Sequence, residues 1–246
     1  MPTEKQQVEI DDLNRKLRRA IKISKKIDAA ILIFLLLILL YIFSTIYDDV
    51  KLIYRGYNTL KYHNFEELLE INPDTKAWIT MDGTRIDHPV VQGTDNFEYL
   101  DKDFNGEHFT GGTLFLDSEN TDDFSDDYNI IHGHHMSGGA MFGDLTNYTE
   151  EEFFNDNKDG TLLTPTYDYK LEVIGVAKVN AYDHRVYSTS ADSRSVYDYT
   201  RQVSINRRDI SLGSDEKILT LSTCSGDMTE DRIVVFCRMY DKIKHE

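Results

Sequence analysis

Glu216-Lys217-Ile218-Leu219-Thr220-Leu221-Ser222-Thr223-Cys224 leads through Ser225-Gly226-Asp227-Met228-Thr229-Glu230-Asp231 into Arg232-Ile233-Val234-Val235-Phe236. The outer segments are β-branched, aliphatic and aromatic, and the middle one is polar with a glycine, so the stretch reads as strand, loop, strand. If the two strands are neighbours, the Cys224 thiol and the Arg232 guanidinium meet at the loop end of one sheet. A thiol attacks well only as thiolate, which requires a neighbour that stabilises the anion or takes its proton. A fixed cation can stabilise the oxyanion of a tetrahedral intermediate, worth about 3 kcal/mol for one donor in comparable sites. The pair still needs a proton carrier.

Tyr128-Asn129-Ile130-Ile131-His132-Gly133-His134-His135-Met136 supplies one, since a short strand runs there into a glycine and a group of histidines. An imidazole of ordinary pKa, ~6.5, can take a proton from a thiol and return one to a leaving amine at neutral pH. His134 follows the glycine directly; His132 and His135 are its competitors.

With these residues in view the chain resembles the sortases, cysteine transpeptidases of Gram-positive cell surfaces. The shared pattern is the strand end Thr220 to Cys224, Arg232 eight residues later and the earlier Gly133-His134. The stretches Asp74 to Trp78, Ile86 to Gln92, Asp95-Asn96 with Tyr99-Leu100, Gly112 to Asp117, and His134-His135-Met136 with Met141-Phe142 resemble the class B branch in particular. His132 departs from it, because class B members usually carry an aromatic Tyr before the Gly-His. The resemblance implies Cys224 as nucleophile, His134 as acid and base, and Arg232 as oxyanion stabiliser and peptide clamp. It further implies that Asn96, Leu100, Ser222 and Thr223 line the groove for a C-terminal sorting signal of the form Asn/Ser/Pro-Pro-x-Thr-Asn/Gly. Cleavage after Thr would give a thioester, and transfer to a peptidoglycan stem or cross-bridge amine would link a surface protein to the wall. A hydrolase resolving the thioester with water, or a non-catalytic binding module, are the competing readings. Papain-like enzymes place Cys before His in the chain, whereas here His comes first and an Arg takes the third position.

Metal and cofactor chemistry is not expected. Adjacent histidines at a strand end point in different directions and converge poorly on zinc. The acidic run Asp117, Glu119, Asp122, Asp123, Asp126 and Asp127 lacks the spacing and glycine of an EF-hand loop and reads as a solvated loop. Asp227, Glu230 and Asp231 are the acids near enough in sequence to hold Arg232. Cys237, five residues beyond Arg232, would lie roughly 17 Å along the strand, beyond the ~7 Å Cα separation a disulfide allows, so no bridge to Cys224 is expected.

Ala29 to Tyr47 contains no charged residue and would form about 28 Å of helix, enough to cross the hydrocarbon core. Arg15, Lys16, Arg18, Arg19, Lys22, Lys25 and Lys26 precede it and Asp48 and Asp49 follow, which sets residues 1–28 in the cytoplasm as a basic tail. A cleaved signal peptide fits less well, since its apolar region is shorter and ends at an Ala-x-Ala-like site. Residues 48–63 then form a juxtamembrane helix or linker, and residues 64–246 the extracellular catalytic domain. Residues 1–47 hold eight Lys and Arg against five Asp and Glu, a net of +3, so of the chain's −16 the remainder carries −19. Such acidity excludes a nucleic-acid role, which depends on neutralising phosphates with Lys and Arg, and suits a neutral or cationic partner.

Asn64 with Glu67 marks a helix start, and Asn72-Pro73 its end. The expected strands are Ala77 to Met81, Thr84 to Val91, Gly112 to Leu116, Tyr128 to His132, Thr161 to Pro165, Tyr169 to Asn180, Lys217 to Cys224 and Arg232 to Tyr240. Short helices fit Met141 to Leu145 and Glu150 to Asn155, and a helix around Val196, Tyr199 and Val203 fits within Ser190 to Leu212. About eight short strands without regular strand-helix alternation predict a mainly antiparallel barrel or sandwich. The resemblance narrows this to a sortase-like closed β-barrel with short flanking helices, one of them a wall of the peptide groove.

Overall fold

The structure, a computed structural model, describes residues 15, 17, 18, 22–28, 31–43, 65–224 and 230–245, with the backbone alone at Ser137 and Cys224. The expected linker at 48–63, the loop at 225–229, Ala29, Ala30 and residues 44–47 of the expected span lie outside the described residues.

Two units make up the chain, divided at Arg55. The first contains helix α1, Lys22–Phe43, which is long and apolar enough to cross a membrane. It begins before the expected Ala29, because helix formation does not require apolar side chains and Lys22, Lys25 and Lys26 are good helix formers. Its apolar side chains are exposed, Leu40 by 65% and Phe43 by 68%.

The second unit begins its described part with α2, Phe65–Ile71. Nine strands follow: β1 Thr75–Met81, β2 Asp87–Val91, β3 Leu114–Leu116, β4 Tyr128–His132, β5 Asp159–Leu163, β6 Tyr167–Asn180, β7 Asn206–Arg207, β8 Lys217–Cys224 and β9 Asp231–Lys244. Their order is β5-β1-β2-β3-β4-β8-β9-β6-β7, and β5 also pairs with β6. That second pairing closes an eight-stranded barrel and leaves the two-residue β7 outside the ring. Closure satisfies the sheet edges that a sandwich would leave open.

The barrel is mainly antiparallel, but β2–β3 and β4–β8 are parallel. Both parallel pairs join segments separated by a long excursion, as such pairing requires. Among the strand limits that differ from expectation, three have local reasons. Thr84 is taken into a turn, its hydroxyl bonding the Met81 carbonyl and accepting from the Ile86 amide, so β2 begins at Asp87. Gly112, at φ +59°, turns the chain before β3. Thr164 accepts from the Tyr167 amide, ending β5 before Pro165.

Alternation along the strands separates two faces. Ile79, Val90, Leu114, Ile131, Leu162, Val173, Leu219, Leu221 and Val235 fill the barrel, and Phe142, Leu145, Tyr148 and Phe154 join them from the Gly143–Thr149 3₁₀ segment and α3, Glu151–Asp156. Tyr128, Ile130, Ile218, Val234 and Phe236 face outward beneath α4, His184–Tyr187, and α5, Ser193–Val203. The α5 helix is capped by Asp192, whose carboxylate accepts from the Ser195 amide, and it buries Val196, Tyr197 and Tyr199. A third cluster joins Leu68 of α2 to Val91, Tyr99, Phe104 and Phe115.

Candidate active site

Cys224 ends β8 and stands directly opposite Arg232 across the antiparallel β8–β9 pair. On the other side of β8 runs β4, parallel, with Ile130 beside Thr220 and His132 beside Ser222. The Gly133 amide donates to the Ser222 carbonyl at 3.1 Å, so pairing continues one residue past β4 and sets His134 alongside the strand end at Cys224. Period-two alternation from Ile130 and Val234 puts His132, Ser222 and Arg232 at outward positions, and strand position 224 falls in the same series. The barrel thus presents successive cross-strand rows on one face, Ile130, Thr220, Phe236 and then His132, Ser222, Val234; the next β8–β9 pair is Cys224 with Arg232, and the Gly133-His134 turn lies at that end of the sheet.

Gly133 is required by this geometry. A Cβ there would lie 2.4 Å from Leu114 Cδ2 and 2.8 Å from Phe142 Cδ2. The backbone past His134 is held by Phe142, whose amide donates to the His134 carbonyl at 3.0 Å. His134 Nε2 lies 2.7 Å from the Leu100 carbonyl. A carbonyl only accepts, so in the neutral ring Nε2 carries the hydrogen and Nδ1 is left as the basic atom.

Leu100 contributes that backbone oxygen, while its side chain packs against the cluster beneath α2. The oxygen is placed by a close approach: a Cβ on Gly112 would sit 2.7 Å from it. Tyr99 anchors the same segment by donating its hydroxyl to Asp74 at 2.7 Å, and burial, with the neighbouring Asp74, pushes its pKa up to about 12.

Arg232 Nη1 donates to the Asp231 carbonyl at 3.1 Å. The Asp231 carboxylate pairs instead with Lys178 at 3.0 Å, and Glu230 accepts from Asn180 at 3.4 Å. Asp227 lies outside the described residues. Ser222 and Thr223 are both nearly fully buried; Thr223, in step with Leu219 and Leu221, is at an inward position, and its hydroxyl has no hydrogen bond among the described residues.

Asp117 and Tyr187 were not singled out from the sequence for this site. Asp117 falls in the acidic run that reads as a solvated loop, yet its side chain is only 8% exposed. Its Oδ2 receives His132 Nε2 at 2.8 Å and Asn96 Nδ2 at 2.9 Å. Burial alone would raise its pKa, but the bonds from His132, the Glu119 amide and Asn96 more than offset this and hold it below the ordinary carboxylate value. The available signal was its position at the end of an apolar strand. Tyr187 carries none, because α4 is a single turn between loops. Its ring stacks on His132 at 6.2 Å between centroids and its hydroxyl meets Ser222 Oγ at 2.9 Å.

Comparisons with known proteins bear on the family. A family model described as the Sortase domain matches residues 79–240. Sortase B of Staphylococcus aureus is 31% identical over 180 residues, covering 71% of this chain and 74% of that protein. Among solved structures, sortase B of Clostridium perfringens is 36% identical with a TM-score of 0.66, covering 72% of this chain and 100% of its own. A Staphylococcus aureus sortase B–substrate complex is 30% identical with a TM-score of 0.65, covering 72% and 84%. The closed barrel, the strand end at Cys224 and these matches together show that the chain belongs to the sortase family of cysteine transpeptidases, in its class B branch.

Proposed function

We propose that this chain cleaves a C-terminal sorting signal of the Asn/Ser/Pro-Pro-x-Thr-Asn/Gly type after Thr and transfers the protein to a peptidoglycan amine. The observation that carries this reading is that the Gly133-His134 turn, the end of β8 at Cys224 and the start of β9 at Arg232 lie at one end of the sheet. That the Staphylococcus aureus relative forms a complex with a substrate supports a substrate-binding role for this chain.

In this reading His134 Nδ1 takes the Cys224 proton and the thiolate attacks the carbonyl carbon of Thr. Arg232 stabilises the oxyanion that forms. The tetrahedral centre collapses, the C–N bond breaks and the departing amine receives its proton from the imidazolium. An incoming amine attacks the thioester, gives its proton to His134, and the Cys224 thiolate leaves. The Leu100 carbonyl keeps Nε2 as the hydrogen-bearing nitrogen throughout, so Nδ1 remains the shuttle. Asn96, Leu100, Ser222 and Thr223 line the signal's path, Leu100 and the buried Thr223 through their backbone.

The Lys22–Phe43 helix supports a single-pass anchor with the basic tail, residues 1–28, in the cytoplasm and residues 64–246 outside a Gram-positive cell. The test is mass spectrometry of the full chain in detergent with panels of signal peptides, with and without triglycine, beside Cys224→Ala and Arg232→Ala. A product carrying the mass of the amine, lost in Cys224→Ala and reduced about 10²- to 10³-fold in Arg232→Ala, is expected. A free-acid product alone would move the assignment to a hydrolase.

A further inference from the structure

His132 pairs with Ser222, one row from the Cys224–Arg232 pair and on the same face of the barrel. Its imidazole lies between two rings, Phe115 at 5.2 Å and Tyr187 at 6.2 Å, tilted from them by 28° and 16°. Its Nε2 bonds the Asp117 carboxylate at 2.8 Å. Asp117 and Tyr187 each lead to one of the residues assigned to the peptide path. The Asp117 oxygen that meets His132 also accepts from Asn96 Nδ2, while the Asn96 carbonyl accepts from the Ser118 amide at 2.8 Å. This fixes the Asn96 amide plane and leaves one of its N–H groups unused by these bonds. On the other side, Tyr187 meets the hydroxyl of Ser222 at 2.9 Å.

We infer that His132 is a positioning residue that joins the two walls of the peptide groove, orienting Asn96 through Asp117 and Tyr187 with Ser222 through ring stacking, and that it sets peptide affinity without taking part in proton transfer. His134 serves the chemistry with Nδ1; His132 has its Nε2 committed to a carboxylate and its faces covered. The inference rests on the sorting-peptide reading of the site.

The experiment measures cleavage of a fluorogenic peptide containing Asn-Pro-Gln-Thr-Asn by the full chain in detergent, for the parent, H132F, H132Q, N96A and the doubles of N96A with each His132 variant. His132→Phe keeps a ring but removes the bond to Asp117; His132→Gln keeps an N–H donor but removes the ring. Losing one such hydrogen bond is expected to raise KM up to about tenfold in H132F, with kcat within about twofold and a smaller KM effect in H132Q. Asn96→Ala should cost less in H132F than in the parent, since the orientation it depends on is already lost, and should keep most of its cost in H132Q. A structural role alone would lower the melting temperature without this pattern of coupling. If H132F fails to fold, H132Q with Tyr187→Phe carries the same test, each raising KM. A fall in kcat at unchanged KM, or strictly additive costs with Asn96→Ala, would overturn the inference and leave the sortase reading intact. A parent that neither cleaves nor binds the peptide would overturn the signal assignment, and this inference with it.

Discussion

At the residue scale the site depends on close approaches that a side chain would block. Gly133 lets the chain pass between Leu114 and Phe142 and so delivers His134 beside the end of β8. Gly133→Ala is expected to cost about 1–3 kcal/mol through overpacking, and the displaced imidazole to lower kcat/KM by about 10²-fold; urea unfolding and steady-state kinetics on the same preparation read the two effects separately. Asp117 makes a pH-dependent prediction. Its pKa is depressed in the folded chain, so its contribution to stability is complete above the ordinary unfolded value of ~3.9 and is lost as pH falls through the lower folded value. Asp117→Asn should therefore be less stable than the parent at neutral pH, with the gap narrowing only below about pH 4. A gap that stayed constant from pH 7 to pH 3 in denaturant titrations would remove the charge from the explanation. The proposal of Cys224, His134 and Arg232 as the reacting groups comes from residue type and order. The partners of His132 were not, because Phe115, Asp117 and Tyr187 reach it from three separate segments.

Elements carry the site by pairing. The sequence shows β4 and β8 as two short apolar segments, but nothing local in either says that they run side by side and parallel. That pairing sets the Gly133-His134 turn at the Cys224 end, whereas an antiparallel pair would put it at the Lys217 end. The outer face depends on α4, a single turn that propensity could not announce. It is tied to the barrel by Tyr128, whose hydroxyl donates to the Val186 carbonyl at 2.7 Å and lies 3.0 Å from Thr220 Oγ1. Burial raises the Tyr128 pKa, so the group stays a neutral donor across the working pH range. Tyr128→Phe leaves the Val186 oxygen buried without this donor, and about 1–3 kcal/mol of destabilisation is expected. Hydrogen exchange should show the loss concentrated around Val186 and Tyr187, with the barrel strands little changed; uniform deprotection would mean that the hydroxyl supports the barrel as a whole.

For the whole molecule, the two cysteines give a direct check on register. Cys237 pairs across from Leu219, faces the barrel interior and is fully buried, with its thiol pKa pushed up by that burial. The native chain should take one equivalent of a maleimide, at Cys224, and two only in denaturant, as counted by intact-mass spectrometry. Two fast equivalents in the native state would contradict the barrel packing. By itself the sequence determined the strand segments, the apolar helix near the N-terminus, the acidity of the remainder and the identity of the reactive residue types, because period-two alternation, an uncharged apolar run and side-chain chemistry are local properties. Only the tertiary structure decided that β5 closes on β6, that two pairs of strands run parallel, and that Asp117, His132 and Tyr187 form one network beside the site. Those facts depend on contacts between residues far apart in the chain, whose pairing is selected by burying both faces of the sheet at once rather than by any one segment's preference.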